Sequence, residues 1–236
     1  MKSKSSSNPS HFRRTHAEID LRRIVHNFHS FGKLFPADTF LCPMVKANAY
    51  GHGDYEVTAA LRSAGSKAVG VALVEEGEKL RRSGDRDQIL VFGPVDLVAA
   101  EAALRETLTV VASDWSHLES LEAAAIRLGA SAVRIHFEFN TGMNRLGFDV
   151  KDAKKLEEWV RSHRDFILDG VCTHLLRGND AGQEGGESET QLRRFARAVT
   201  EFSSHPNLKV HALNSSASIN LWKRVLEKEN LGEGVS

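Results

Sequence analysis

Short apolar runs alternate with helix-patterned segments along most of this 236-residue chain. The runs fall at residues 40–45, 68–73, 89–93, 108–111, 132–137, 167–172 and 208–213. Apolar spacing predicts helices over 55–63, 74–82 and 97–105, another from the cap Asp114 to the stop at Gly129, and others over 151–163, 188–202 and 217–228. Links this long, recurring at intervals of about 20 residues, make parallel βα units rather than hairpins. The expected fold is therefore α/β, a TIM-type (β/α)8 barrel that is incomplete here. Seven units can be counted, whereas a closed barrel takes eight strands. An open barrel exposes two strand edges, a liability for a protein on its own. Either the chain is the N-terminal part of a longer polypeptide or an extra segment closes the ring. The alternating stretch 17–21, read as a strand ahead of a helix over 21–35, is the available segment. We favour the first.

Charge and cysteine usage narrow the function. With 31 basic and 31 acidic residues there is no net field to attract nucleic acid or an anionic membrane surface. Cys42 and Cys172 both lie inside apolar runs, where a reduced, buried thiol is expected. Residues 1–16 are serine-rich and basic, with Lys2, Lys4, Arg13 and Arg14 but no apolar stretch, and read as a disordered tail ahead of one barrel domain, 17–236. No window approaches the roughly 18 apolar residues of a membrane span, so a cytoplasmic protein is expected.

Parallel barrels collect function at the C-terminal ends of their strands, so the residues that close each run are the candidates. Lys46 closes 40–45 and opens Lys46-Ala47-Asn48-Ala49-Tyr50-Gly51-His52-Gly53. An amine between low-dielectric walls at such an edge is suited to Schiff-base chemistry, although a strand-end lysine can also reach into solvent. Asn140 to Arg145 follow the fifth run, His174 the sixth, and Asn214 with Ser215 the seventh. Each has an ordinary alternative: Arg145 as a solvated loop cation, His174 as a hydrogen-bonded core histidine, Asn214-Ser215 as a helix cap, Tyr50 as packing. Four rim endings that are cationic, imidazole, amide or hydroxyl nonetheless suit an anionic, conjugated ligand. Ser188 with Gln191 reads as a capping box for the helix that follows.

The string around Lys46, together with those around Arg145, His174 and Asn214, resembles the alanine racemases, pyridoxal-phosphate enzymes of fold type III. The resemblance runs from Ala17 to about Ser218. It implies a barrel that carries pyridoxal 5'-phosphate and a separate C-terminal β-domain, absent here, that completes the site in a homodimer acting on a small amino acid. By the same resemblance Lys46 holds the cofactor and is one catalytic base. Tyr50 and Ser215 would reach its phosphate, Arg145 its phenolic oxygen, and Asn214 the polar shell; His174 would lie against the cofactor and support the opposite-face acid/base. The family's arginine at the pyridine nitrogen and its second base, a tyrosine of the partner subunit, have no counterpart in this chain. Many relatives carry a carbamylated lysine two residues before an aspartate, where this chain has Glu138 and Asn140. A glutamate carboxylate there would serve as a built-in anion that orients Arg145 through a charge-assisted hydrogen bond. The loop Leu175-Leu176-Arg177-Gly178-Asn179-Asp180 also departs from the family pattern. The lysine motif also admits two other readings: a single-domain pyridoxal-phosphate carrier that serves vitamin B6 homeostasis, and a type III decarboxylase.

Overall fold

A computed structural model describes residues 16–221, so the tail before residue 16 and the predicted helix beyond residue 221 lie outside the described residues. Strands β1 (Ala68–Val71), β2 (Gln88–Val91), β3 (Thr109–Ala112) and β4 (Val133–Asn140) run in parallel, followed by β6 (Phe166–Thr173) and β7 (Lys209–His211), in the order β1-β2-β3-β4-β6-β7. The two-residue β5 (Phe148–Asp149), which the sequence pattern did not signal, pairs with the end of β4. The run ending at Lys46 flanks β1 through a single parallel bridge, Met44 to Gly70. Val45 N–H donates to Gly70 O at 2.8 Å and Gly70 N–H to Pro43 O at 2.9 Å. Pro43 has no N–H of its own, which keeps this ladder short. The seven expected rows are present and curl into an incomplete TIM-type barrel.

Helices α1 (Leu21–Gly32), α3 (Asp54–Ser63), α4 (Val74–Arg82), α5 (Leu97–Arg105), α6 (Trp115–Leu128), α7 (Ala153–Ser162) and α8 (Glu187–Thr200) connect the strands, with a helical turn α2 (Lys46–Tyr50) after the lysine run. The predicted caps of α6 are in place: Asp114 accepts from His117 N–H at 3.1 Å, and Gly129 ends the helix at φ 58°. Two expectations fail. Residues 16–20 form no strand; Asp20 instead caps α1, accepting from Arg22 N–H at 3.0 Å. A strand needs a ladder partner, and none among the described residues offers one to this stretch. The capping box is also absent, because α8 begins one turn ahead of Gln191, with Gly186 at its cap. Asp180 receives the first amides of α8, from Glu187 at 3.1 Å and Ser188 at 3.3 Å, while the Ser188 hydroxyl donates to Arg177 O at 2.6 Å.

Alternation along the strands separates two cores. Val69, Val71, Ile89, Val91, Val110, Ile135, Phe137 and Phe139 belong to the layer shared with the helices, whereas Ala68, Leu90, Val111 and Cys172 meet Phe40, Cys42 and Phe92 in a second cluster. Burial pushes the Cys42 thiol up to about 12 and Cys172 well above its ordinary value, so both are unreactive free thiols. Toward the strand starts lies a polar plug. Asp169 accepts from Gln88 at 2.6 Å, Lys209 at 2.7 Å, Arg134 at 3.0 Å and His136 Nε2 at 3.1 Å, and His136 Nδ1 lies 2.9 Å from His211 Nε2. Burial alone would raise the Asp169 carboxyl, but hydrogen bonds from His136, Lys209 and Gln88 outweigh it and hold the group ionised. The same burial lowers His136 and brings His211 down to about 3, so the two rings stay neutral.

Candidate active site

Lys46 sits half-buried at the C-terminal rim, at the head of a turn whose handedness is unusual. Ala47, Asn48, Ala49 and Tyr50 have φ of 51°, 56°, 51° and 55°, before Gly51 at 85°. A left-handed conformation costs an L residue roughly 1–2 kcal/mol, so four in succession persist only where the surroundings impose them. Glu76 on α4 supplies much of that constraint: one carboxylate oxygen accepts from Ala47 N–H at 2.6 Å, the other from Ala72 N–H at 2.7 Å and Leu73 N–H at 3.1 Å. On the far side Asn48 Oδ1 accepts from Asp54 N–H at 3.1 Å, and buried Asp54 receives Lys79 Nζ at 2.8 and 2.9 Å. The residue that bears the amine is thereby tied to β1, α3 and α4. Glu76, Asp54 and Lys79 escaped the sequence reading. A glutamate at the third position of a helix just after a strand was the available signal, and it marks a cap as readily as a site.

β4 extends past its predicted end to Asn140 and brings Glu138 to the rim, 7% exposed. Burial pushes its carboxyl up to about 6, with the charge of Arg145 pulling the other way. No hydrogen bond joins Glu138 to Arg145, so the expected direct contact is replaced by action through the field. The reason is the loop: Asn140 Oδ1 accepts from Gly142 N–H at 3.1 Å and Asn144 N–H at 3.0 Å, closing it upon itself and leaving Arg145 exposed. Past β6, half-buried His174 is held below the usual histidine range by burial first, then by the charges of Arg145 and Lys46. Lys46, Arg145 and His174 thus share one electrostatic neighbourhood, which disfavours the charged form of the imidazole.

The remaining candidates sit at the same end without hydrogen bonds to that trio. Asn214 Oδ1 accepts from Ala217 N–H at 3.0 Å, capping helical residues 215–221, as its ordinary alternative held. The loop after β6 approaches it closely, since a Cβ on Gly178 would lie 2.4 Å from Asn214 Oδ1. Ser215 is exposed in the first turn of that helix, and Tyr50 is 59% exposed on the left-handed turn.

The fold is a parallel α/β half-barrel whose lysine stands on an anchored left-handed turn at the C-terminal ends of the strands, the face where barrel enzymes place their sites. Sequence comparison gives the family: residues 19–229 match the family described as "Alanine racemase, N-terminal domain", and the chain belongs to it. The alanine racemase of Geobacillus stearothermophilus is 36% identical over 224 residues, covering 93% of this chain and 56% of the relative. Alanine racemase 1 of Bacillus subtilis is 35% identical over 234 residues, 95% of this chain and 56% of its own length. Among solved structures, alanine racemase from E. faecalis superposes with a TM-score of 0.76 at 31% identity, over 85% of this chain and 53% of that one. The chain therefore spans about half the length of the curated relatives it matches.

Proposed function

We propose that this chain is the cofactor-bearing barrel of an alanine racemase, an isomerase that interconverts L-alanine and D-alanine with pyridoxal 5'-phosphate. The observation that carries the reading is the anchored left-handed turn, which presents Lys46 at the rim beside Arg145 and a His174 held below the usual histidine range. The donor set suits the cofactor: a primary amine for its aldehyde, a guanidinium for its phenolic oxygen, and the Tyr50 and Ser215 hydroxyls with helix amides for its phosphate. When bound, pyridoxal phosphate supplies the electron sink that stabilises a carbanion at the substrate Cα. Lys46 Nζ then holds the cofactor and moves a proton on one face of that carbon. Arg145 donates without surrendering its proton. His174 would lie against the cofactor and support the opposite-face acid/base. Glu138 serves as a resident anion against Arg145, and Asn214 caps the helical turn that presents Ser215.

Racemisation needs a second acid/base on the other face, which one lysine cannot serve well. In our reading that group comes from a further C-terminal β-domain of the complete protein, contributed by the partner in a cytoplasmic homodimer that makes D-alanine as a peptidoglycan precursor. The test is borohydride reduction of the complete protein with pyridoxal phosphate, followed by peptide mapping. Label is expected on Lys46 and lost in Lys46→Ala, with racemase activity lost alongside. Label at other lysines alone would reject the assignment, and labelled Lys46 without racemisation would point to a cofactor carrier.

A further inference from the structure

We propose that Gln191 is a positioning residue that couples the two rim loops carrying Arg145 and His174. It stands on α8, 1% exposed, and its side-chain amide uses both donors and one acceptor site on those loops. Oε1 accepts from Leu176 N–H at 2.9 Å; Nε2 donates to His174 O at 3.2 Å and to Thr141 Oγ1 at 3.2 Å. From Thr141 the chain continues in one direction only. The Thr173 hydroxyl donates to Phe139 O at 2.7 Å, so the 2.7 Å contact between the two threonines is a donation from Thr141 to Thr173. Every proton in the series is assigned, and it joins α8 to the ends of both β4 and β6. Arg194, one helical turn on, donates to Thr141 O at 2.9 Å and holds the same loop from outside. Gly142 completes the fit, because a Cβ there would stand 3.1 Å from Gln191 Cγ at a backbone φ of 153°.

Arg145 lies four residues beyond Thr141 on one loop, and the carbonyl of His174 is itself a ligand of the amide on the other. A single side chain thus sets how the cation and the imidazole sit relative to each other. The coupling is a property of the structure; its catalytic meaning rests on the racemase reading above.

The test uses the complete protein with pyridoxal phosphate bound, as wild type, as Gln191→Met, which keeps length and volume, and as Thr141→Val, which removes only the relay hydroxyl. Amide hydrogen exchange at residues 141–147 and 174–178 is expected to quicken by about tenfold in both loops of Gln191→Met, the scale of one lost buried hydrogen bond. Racemase kcat should fall by a similar factor with KM less affected, since the two groups lose their mutual geometry rather than their presence. Thr141→Val breaks the relay alone and should loosen 141–147 with a smaller loosening of 174–178; it serves as the deciding variant if Gln191→Met does not fold, and loosening confined to 141–147 would then overturn the coupling. Faster exchange confined to α8, or unchanged kcat with both loops loosened, overturns the proposal. Loosening of both loops in a protein whose wild type racemises nothing would instead remove the racemase reading and leave the coupling in place.

Discussion

Glu138 is a buried carboxyl with no hydrogen-bonding partner among the described residues, and its ionisation is set by the barrel. Its folded value, pushed to about 6 from 4.5, means that the protonated form favours the folded chain. That contribution is complete below the unfolded value and is lost as pH rises through the folded one, a difference of about 2 kcal/mol for a shift of this size. Glu138→Gln is therefore expected to be about 2 kcal/mol more stable than wild type above about pH 7 and equal to it near pH 4, as read by urea unfolding without cofactor. A variant less stable at high pH would show that the carboxylate has a stabilising partner. The position was legible as a departure from the family pattern. Its lack of contact with Arg145 was not, because that depends on how Asn140 folds the loop back onto the amides of Gly142 and Asn144.

The left-handed turn after Lys46 raises the same question for a whole element. Nothing in Ala47-Asn48-Ala49-Tyr50 favours left-handed backbone except Asn48, so the conformation is imposed by Glu76 and by the Asn48–Asp54 contact. Glu76→Ala deprives the amides of Ala47, Ala72 and Leu73 of their acceptor and is expected to cost about 2 kcal/mol in thermal or chemical unfolding. It should also slow borohydride-trapped loading of pyridoxal phosphate onto Lys46, whereas Glu76→Gln, which keeps one acceptor oxygen, should be milder on both counts. Regular elements were read far better. Helices 74–82 and 97–105 have the bounds their periodicity predicted, because a stripe of Val74, Gly77 and Leu80, or of Ala100 and Ala103, needs only local spacing to face the sheet. Ser188 and Gln191 misled because a capping box and a tertiary polar network use the same residue types at the same spacing.

For the molecule as a whole, the open edge is the dominant fact. β7 ends the sheet among the described residues and presents Val210 49% exposed. Unpaired backbone beside exposed apolar side chains favours edge-to-edge association. Produced by itself, this 236-residue chain is expected to self-associate at micromolar concentration, and Val210→Lys to shift it toward monomer in sedimentation velocity. Equal association of the two proteins would place the sticky surface elsewhere. At the other end of the strands, the Asp169 plug shows the cost of filling a barrel with polar groups: it is stable only because four donors meet one carboxylate.

The amino-acid sequence by itself determined the order of the seven main parallel rows and the strand-end positions of Lys46, Arg145, His174, Asn214 and Ser215, because periodicity and crossover length act over a few neighbouring residues. Only the tertiary structure decided the handedness of the lysine turn, the charge state of Glu138, the plug around Asp169 and the turning of Gln191 into both loops. The turn, the plug and the Gln191 contacts depend on groups far apart in the chain meeting at about 3 Å, and Glu138 on the burial that the assembled barrel imposes; in each case tertiary surroundings outweigh local preference.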